Sequence, residues 1–307
     1  MLKSLNMSPS IEVIVNAGSG SVEREETERR LTELFEENGV EANILMASSG
    51  EEIAAFAEKA AGGNAGIIVA GGGDGTISAI AERAIKARKT LGILPLGTLN
   101  NFSKDLRIPQ DLPEAVRVIA EGNIRQIDVG EVNGQIFVNN SSIGLYPDIV
   151  RRRERQQRLG RGKWSAAFWA ALKILKRSPF FAVKLETENG ERIVKTPFVF
   201  IGNNQYEMDF FNIGRRAKLD DGKLSVYFLH RSGRRGLLML FLRALLGRLR
   251  QARDFEEINI ERITIETRKK QMPVAFDGEV EFLETPLRYK IHPKALRVVV
   301  PPEIDET

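Results

Sequence analysis

The run Gly71-Gly72-Gly73-Asp74-Gly75-Thr76 carries the strongest chemical signal in the chain. It follows the apolar residues 67–70 and precedes a segment in which Ile77, Ile80, Ala84 and Ile85 share one helical face. Glycines let the backbone turn sharply and come close to a ligand, and the free N–H groups of a helix N-terminus favour an anionic phosphate. Asp74 would then position a magnesium nucleotide, because magnesium prefers carboxylate, phosphate and water oxygens. The run has neither the Gly-Lys-Ser/Thr of a Walker loop nor the G-x-G-x-x-G of a dinucleotide fingerprint. A ligand-free joint between strand and helix is the alternative, but four glycines would destabilise a purely structural turn.

Two further turns of small polar residues follow apolar runs: Asn16-Ala17-Gly18-Ser19-Gly20 and Pro95-Leu96-Gly97-Thr98-Leu99-Asn100-Asn101-Phe102. In an open α/β sheet, the loops at the carboxyl ends of strands converge on one crevice, so three such turns point to one ligand. For the Asn16 turn taken alone, an ordinary loop explains the residues equally well.

Far downstream, Phe276-Asp277-Gly278-Glu279 lies between two strand-like runs. Asp-Gly is a strong hairpin dipeptide, and a plain turn is one reading. Transfer of a phosphoryl group to an alcohol, however, needs a carboxylate to accept the hydroxyl proton while a metal ion and amides stabilise the phosphates. Asp277 is the best candidate for that base in the second half of the chain.

The elements that would hold these residues fall into two kinds. Periodicity predicts strands over 11–15, 40–45, 66–70 and 91–94 alternating with helices over 23–38, 51–61, 76–88 and 113–121, the pattern of βαβ units around a mainly parallel sheet. Gly39 is suited to stop the first helix. After about residue 134 the chain becomes β-rich, with strands expected over 136–139, 180–186, 198–201, 224–229, 260–266, 274–276, 288–291 and 296–300. A length of 307 residues also favours two domains, an α/β one and a β-sheet one.

Composition narrows the chemistry. With no cysteine the chain has no disulfide or thiolate chemistry, and His230 and His292, both read as structural, are too few for a usual zinc site. The net charge of +4 is unevenly spread: residues 151–177 carry +9 and 231–253 carry +7, leaving −12 for the remainder. Each basic segment also has an apolar stripe, Trp164, Phe168, Leu172 and Leu175 in the first and Leu238, Phe241, Leu242 and Leu245 in the second. Basic amphipathic helices lie on anionic membranes, each basic residue near the surface adding about 1 kcal/mol. Helices covering a β-sheet explain the stripes equally well but not the charge. No recognition motif accompanies the arginines of 151–158, so nucleic acid is not an expected partner. The longest apolar stretch, 237–246, is interrupted by Arg243 and falls well short of the roughly 20 residues of a membrane span. No secretory leader is recognisable, so the expected location is cytoplasmic, peripheral at the inner membrane face.

Taken together, these motifs resemble the diacylglycerol kinase catalytic family, which also contains sphingosine kinases and bacterial lipid kinases, and the resemblance runs over nearly the whole chain. In that family a GGDGT loop binds ATP, a P-x-G-T-x-N-D-F segment completes the nucleotide site, and a late D-G-E supplies the catalytic Asp. Here these are residues 72–76, 95–102 and 277–279. The resemblance implies an α/β ATP-binding domain over 9–134, rejoined by 294–307, and a C-terminal β-sandwich over 135–293 for the lipid. It implies nucleotide contacts from Asn16, Ser19, Gly20, Gly71, Gly72, Gly73, Asp74, Gly75, Thr76, Gly97, Thr98, Asn100 and Glu279, with Asp277 as catalytic base. It also implies a structural magnesium ion held by the Asp221 side chain and the Lys218 and Lys223 carbonyls, where a plain Asp-Gly turn is the alternative. The chain departs from the family pattern at Ala17, where proline is usual, and at Asn101, where aspartate is usual; Ser48 is the nearest match to a family threonine.

The resulting expectation is an ATP- and Mg2+-dependent lipid kinase acting on a hydroxyl such as that of diacylglycerol. An NAD kinase-like enzyme shares the GGDGT loop, and a non-catalytic lipid or nucleotide sensor would accommodate Asn101. The sequence names neither the lipid nor the oligomeric state.

Overall fold

A computed structural model describes residues 11–17, 21–144, 180–188, 190–209, 212–216, 218–229 and 255–302. The basic segments 151–177 and 231–253, together with Ser19, Gly20 and His230, lie outside the described residues. The chain divides into two compact units, residues 1–127 with 294–307, and residues 128–293.

The first unit alternates strand and helix: β1 (Ile11–Asn16), α1 (Ser21–Glu37), β2 (Ala42–Ala47), α2 (Gly50–Gly62), β3 (Ile67–Gly72), α3 (Asp74–Lys86), β4 (Thr90–Pro95), α4 (Asn101–Asp105) and α5 (Leu112–Glu121). The four strands form a parallel sheet in the order β2-β1-β3-β4. Neighbours in a strand point to opposite faces, and Val13, Ile14 and Val15 are all buried, so both faces are covered. On α3 the stripe Ile77, Ile80, Ala81 and Ala84 supplies part of that cover. At the start of α2, Ser49 Oγ accepts the Glu52 N–H at 3.2 Å while the Glu52 carboxylate accepts the Ser48 N–H at 2.7 Å, a capping box shifted by one residue.

Gly39 ends α1 as its sequence suggests, with φ of 70° and its N–H on Glu36 O. The Val40 N–H closes the same turn on Phe35 O at 3.0 Å. With that amide committed, β2 begins at Ala42 rather than at residue 40.

The second unit is antiparallel. In chain order it contains the later part of β5 (Ile124–Val132), then β6 (Gln135–Phe137), β7 (Asn140–Gly144), β8 (Phe181–Thr187), β9 (Gly190–Thr196), β10 (Phe198–Asn203), β11 (Tyr206–Asp209), β12 (Asn212–Arg216), β13 (Leu224–Leu229), β14 (Phe255–Ile260), β15 (Arg262–Glu266), β16 (Gln271–Phe276), β17 (Glu279–Glu284) and the first part of β18 (Leu287–Val299). Six strands form one sheet, β14-β13-β10-β7-β16-β17; in the other, β15 pairs with β18 on one side and β8 on the other, and β8 with β9. Ile143, Ile201 and Val226 from the first sheet meet Leu185, Ile265 and Leu287 from the second in one core, which makes the unit a β-sandwich.

Three further expectations change. Residues 260–266 are two strands, because β14 ends at Ile260 in one sheet and β15 begins at Arg262 in the other. The runs 288–291 and 296–300 are a single strand, β18, which passes through Pro293; its ladder to β15 reaches Lys290, and its ladder to β4 is at Arg297 and Val298. Residues 136–139 are strand only to Phe137, and Val138 and Asn139 leave the ladder. Among the described residues no helix is long and apolar enough to cross a membrane.

Candidate active site

In the first unit, β1, β3 and β4 end almost level: Val15 pairs with Gly71, and Gly72 with Pro95. Their following loops therefore leave from one edge of the sheet. The strand order reverses between β1 and β3, which is where a ligand crevice opens in such sheets. At that point Asn16 Nδ2 donates to Thr76 Oγ1 at 3.2 Å, joining the turn after β1 to the glycine turn after β3.

The two glycine turns touch backbone to backbone. A Cβ on Gly97 would lie 2.3 Å from Gly73 Cα and 2.9 Å from Gly73 N, so only glycine permits this approach. Asp74 then ties the same turns together, its Oδ1 accepting the Phe102 N–H at 3.0 Å and its Oδ2 the Asn101 N–H at 3.2 Å. Helix α4 has no side-chain cap of its own, because Asn100 sits in the left-handed region at φ of 51°. Asp74 supplies the missing cap from another helix.

Asn100 is buried, and its Nδ2 donates to Pro95 O at 2.9 Å and Gln110 Oε1 at 3.2 Å, while its Oδ1 is buried without a hydrogen-bond partner. Gly71 and Gly72 end β3, Gly73 caps α3, and Gly75 and Thr76 fall in the first turn of that helix, whose N–H groups have no intrahelical acceptor. Thr98 is exposed in the second turn, flanked by Leu96 and Leu99, two exposed apolar side chains that the sequence alone did not single out. Ser48 Oγ accepts from Arg24 Nη1 at 2.8 Å.

In the second unit, Phe276 pairs with Glu279, and between them Asp277 and Gly278 both have positive φ, 48° and 92°, the signature of a two-residue type I′ hairpin. The plain-turn reading thus describes the backbone. It does not describe the side chain, which is 7 % exposed. Asp277 Oδ2 accepts the Val138 N–H at 2.7 Å, and Oδ1 accepts the N–H groups of Asn139 at 2.8 Å and Asn140 at 3.1 Å. Three successive amides converging on one anion form a nest. The first two of those amides are available because Val138 and Asn139 belong to no strand.

The carbonyl side of the same segment is also held. Val138 O accepts from Arg216 Nη1 at 2.7 Å and Asn203 Nδ2 at 2.8 Å, and Asn139 O accepts from the Tyr206 hydroxyl and the Asn203 N–H, both at 2.9 Å. Arg216, 4 % exposed, donates from Nη2 to Asn139 Oδ1 at 2.9 Å and lies 5.5 Å from the centre of the Tyr206 ring. Sequence reasoning missed Arg216, Asn203, Tyr206 and Asn139. The pairs Asn139-Asn140 and Asn203-Asn204 were the available signal, since asparagine beside apolar runs often bonds local backbone. Glu279 opens β17 and is exposed. Two nearby phenols are poor proton carriers at neutral pH: burial pushes Tyr289 up, and burial with the charge of Glu257 pushes Tyr227 up to about 12.

Between β12 and β13, the loop with Lys218, Asp221 and Lys223 closes on itself. Lys218 Nζ lies 3.5 Å from Asp221 Oδ1, the Asp221 N–H donates to Asn204 Oδ1 at 3.1 Å, and Lys223 O accepts the Asn204 N–H at 3.0 Å. One carboxylate and two carbonyls are hard oxygen donors of the kind magnesium takes, but the Lys218 ammonium must move away first. Among the described residues no group of three or more His, Cys, Asp or Glu side chains could hold a metal ion.

Comparison with known proteins covers both units. Residues 10–132 match the diacylglycerol kinase catalytic domain, and residues 146–300 match the YegS C-terminal NAD kinase beta sandwich-like domain. The chain is 31% identical over 242 residues to "Probable lipid kinase YegS-like" of Chromohalobacter salexigens, covering 76% of each chain. It is 26% identical over 213 residues to a diacylglycerol kinase of Staphylococcus aureus, covering 65% of this chain and 67% of that one. The crystal structure of "a putative diacylglycerol kinase from Bacillus anthracis str. Sterne" superposes with a TM-score of 0.75 at 24% identity over 96% of this chain and 98% of its own, a likeness of fold.

Proposed function

Because this chain belongs to the diacylglycerol kinase catalytic family, we propose that it transfers the γ-phosphoryl group of MgATP to the hydroxyl of a lipid such as diacylglycerol. The contact between the glycine turns, fastened by Asp74, carries this reading, because it assembles first-turn amides and small residues on one sheet edge where phosphates can approach. Residues 9–134 with 294–307 would form the nucleotide domain and residues 135–293 the lipid domain. Asn16, Ser19, Gly20, Gly71 to Thr76, Gly97, Thr98, Asn100 and Glu279 would contact the nucleotide. The magnesium of the co-substrate supplies charge neutralisation at the phosphates.

Asp277 would accept the proton of the lipid hydroxyl as its oxygen forms a bond to the γ-phosphorus and the bond from that phosphorus to the bridging oxygen breaks, releasing ADP. The nest fixes the direction of the carboxylate, which proton transfer requires. A cytoplasmic enzyme meeting its lipid at an anionic inner membrane face agrees with the +9 and +7 segments. A magnesium ion on Asp221, Lys218 and Lys223 would brace the loop before β13. It is tested by whether EDTA lowers the melting temperature of the parent but not of Asp221→Asn.

The function is tested by incubating pure protein with labelled ATP, magnesium and either mixed lipid vesicles or NAD. Label in an organic-soluble product is expected. Label only in NADP would transfer the assignment to an NAD kinase, and nucleotide binding with no labelled acceptor would make the protein a sensor.

A further inference from the structure

Arg216 and Asp277 grip opposite ends of one peptide group. The unit joining Val138 to Asn139 has its oxygen on the Arg216 guanidinium and its N–H on Asp277 Oδ1. The next unit has its oxygen on the Tyr206 hydroxyl and the Asn203 N–H, and its N–H on the same Oδ1. Hydrogen bonds in series polarise one another, most of all in a dry interior. A cation at the oxygen end therefore strengthens the N–H as a donor to the carboxylate.

We infer that Arg216 is a positioning residue for Asp277, acting through the Val138–Asn139 peptide and the Asn139 side chain. This deepens the proposed function and rests on Asp277 being its base. The fork geometry supports the role. Nη1 reaches Val138 O and, at 3.2 Å, Asn203 O, while Nη2 reaches Asn139 Oδ1, so one rigid planar group sets both the main chain and the side chain of the residue at the centre of the nest. A residue that merely filled space here would be better apolar, since a buried guanidinium gives up its hydration. The Tyr206 ring at 5.5 Å holds the guanidinium from its face, and its hydroxyl holds Asn139 O, so the aromatic residue serves the same segment twice.

The test uses the full chain with Arg216→Met, which removes charge and fork, Arg216→Lys, which keeps the charge alone, and each of them combined with Asp277→Asn. In amide proton spectra, Arg216→Met should move the Asn139 N–H upfield, as weakening of its bond to the carboxylate requires, and Arg216→Lys should recover part of that shift. With lipid and MgATP, kcat should fall about 10- to 100-fold in Arg216→Met while KM for the nucleotide stays within about twofold, and the fall should vanish in the Asp277→Asn background. An unmoved Asn139 amide in the folded variant, or an equal loss of kcat with and without the Asp277 carboxylate, overturns the inference. If Arg216→Met does not fold, Arg216→Lys carries both measurements. Turnover at the parent rate in Asp277→Asn alone removes the base, and the proposed function of Asp277 with it, while the amide shifts still decide whether Arg216 is coupled to the nest.

Discussion

Asp74 and Asp277 solve the same local problem in different settings. Each is a carboxylate taken up by successive backbone amides of a distant segment: two for Asp74, from the start of α4, and three for Asp277, from Val138 and Asn139 and the first residue of β7. Asp74 lies at a partly exposed helix start and joins two loops of its own sheet edge. Asp277 is buried, and the segment that binds it is itself held by Arg216, Asn203 and Tyr206. A cap can be loosened with little consequence beyond its loop. A carboxylate in a nest backed by a buried network has its direction fixed from two sides, which suits a group that must meet a reacting hydroxyl.

The widest separation between the two should come from their amide variants. Asp277→Asn keeps the volume but turns an N–H2 group toward a backbone donor, and as loss of a general base it should cost about 10²- to 10⁴-fold in kcat. Nucleotide affinity, measured by calorimetry, should stay near the parent value. A fall in affinity as large as the fall in kcat would break the contrast, because Asp277 would then belong to the nucleotide site.

A second separation lies within the glycine turns themselves. Gly97→Ala drives a methyl group to 2.3 Å from a backbone carbon, whereas a Cβ on Gly73 meets nothing closer than 3.5 Å. Overpacking of this kind costs about 1–3 kcal/mol, so Gly97→Ala should melt well below the parent and Gly73→Ala close to it. Equal melting temperatures would mean that the two turns do not touch.

Asp74→Asn should have a smaller effect, about 1 kcal/mol of stability for a weakened cap, with a modest rise in KM for the nucleotide. Abolished turnover at unchanged stability would instead place Asp74 on the metal of the nucleotide, as its sequence context suggests.

The sequence exposed the α/β unit readily, because buried parallel strands and helical stripes such as Ile77, Ile80 and Ala84 leave a clear period, and the glycine turns stood out by composition. The sandwich was harder to read. Strand β9 is mostly exposed at Glu191, Arg192, Ile193 and Lys195, so its apolar signal is thin. β18 contains a proline, which ordinarily marks a strand end. The support of Asp277 was invisible for another reason: Val138 and Arg216 are 78 positions apart, and only tertiary packing makes them neighbours. Asp74 as a cap was missed likewise, since its partners lie on another helix.

The smallest effect concerns Glu131, a second anchored carboxylate of the sandwich, held by side chains rather than by a nest. Its Oε2 lies 2.7 Å from His292 Nε2 and 3.1 Å from Lys290 Nζ, and its Oε1 accepts the Gly134 N–H at 3.2 Å. Burial alone would raise its carboxyl, but the hydrogen bonds and charges of His292 and Lys290 outweigh that, leaving it below the ordinary value of 4.5. Because the folded state holds this proton less tightly than the unfolded chain, the contribution is complete above the ordinary value and is lost as pH falls through the lower folded one. With both partners partly in solvent it should amount to no more than about 1 kcal/mol. Glu131→Gln should therefore melt slightly below the parent at about pH 6, and the two curves should merge in acid below the folded value. A gap that persists there would show that Glu131 stabilises the sandwich through packing of its side chain rather than through its charge.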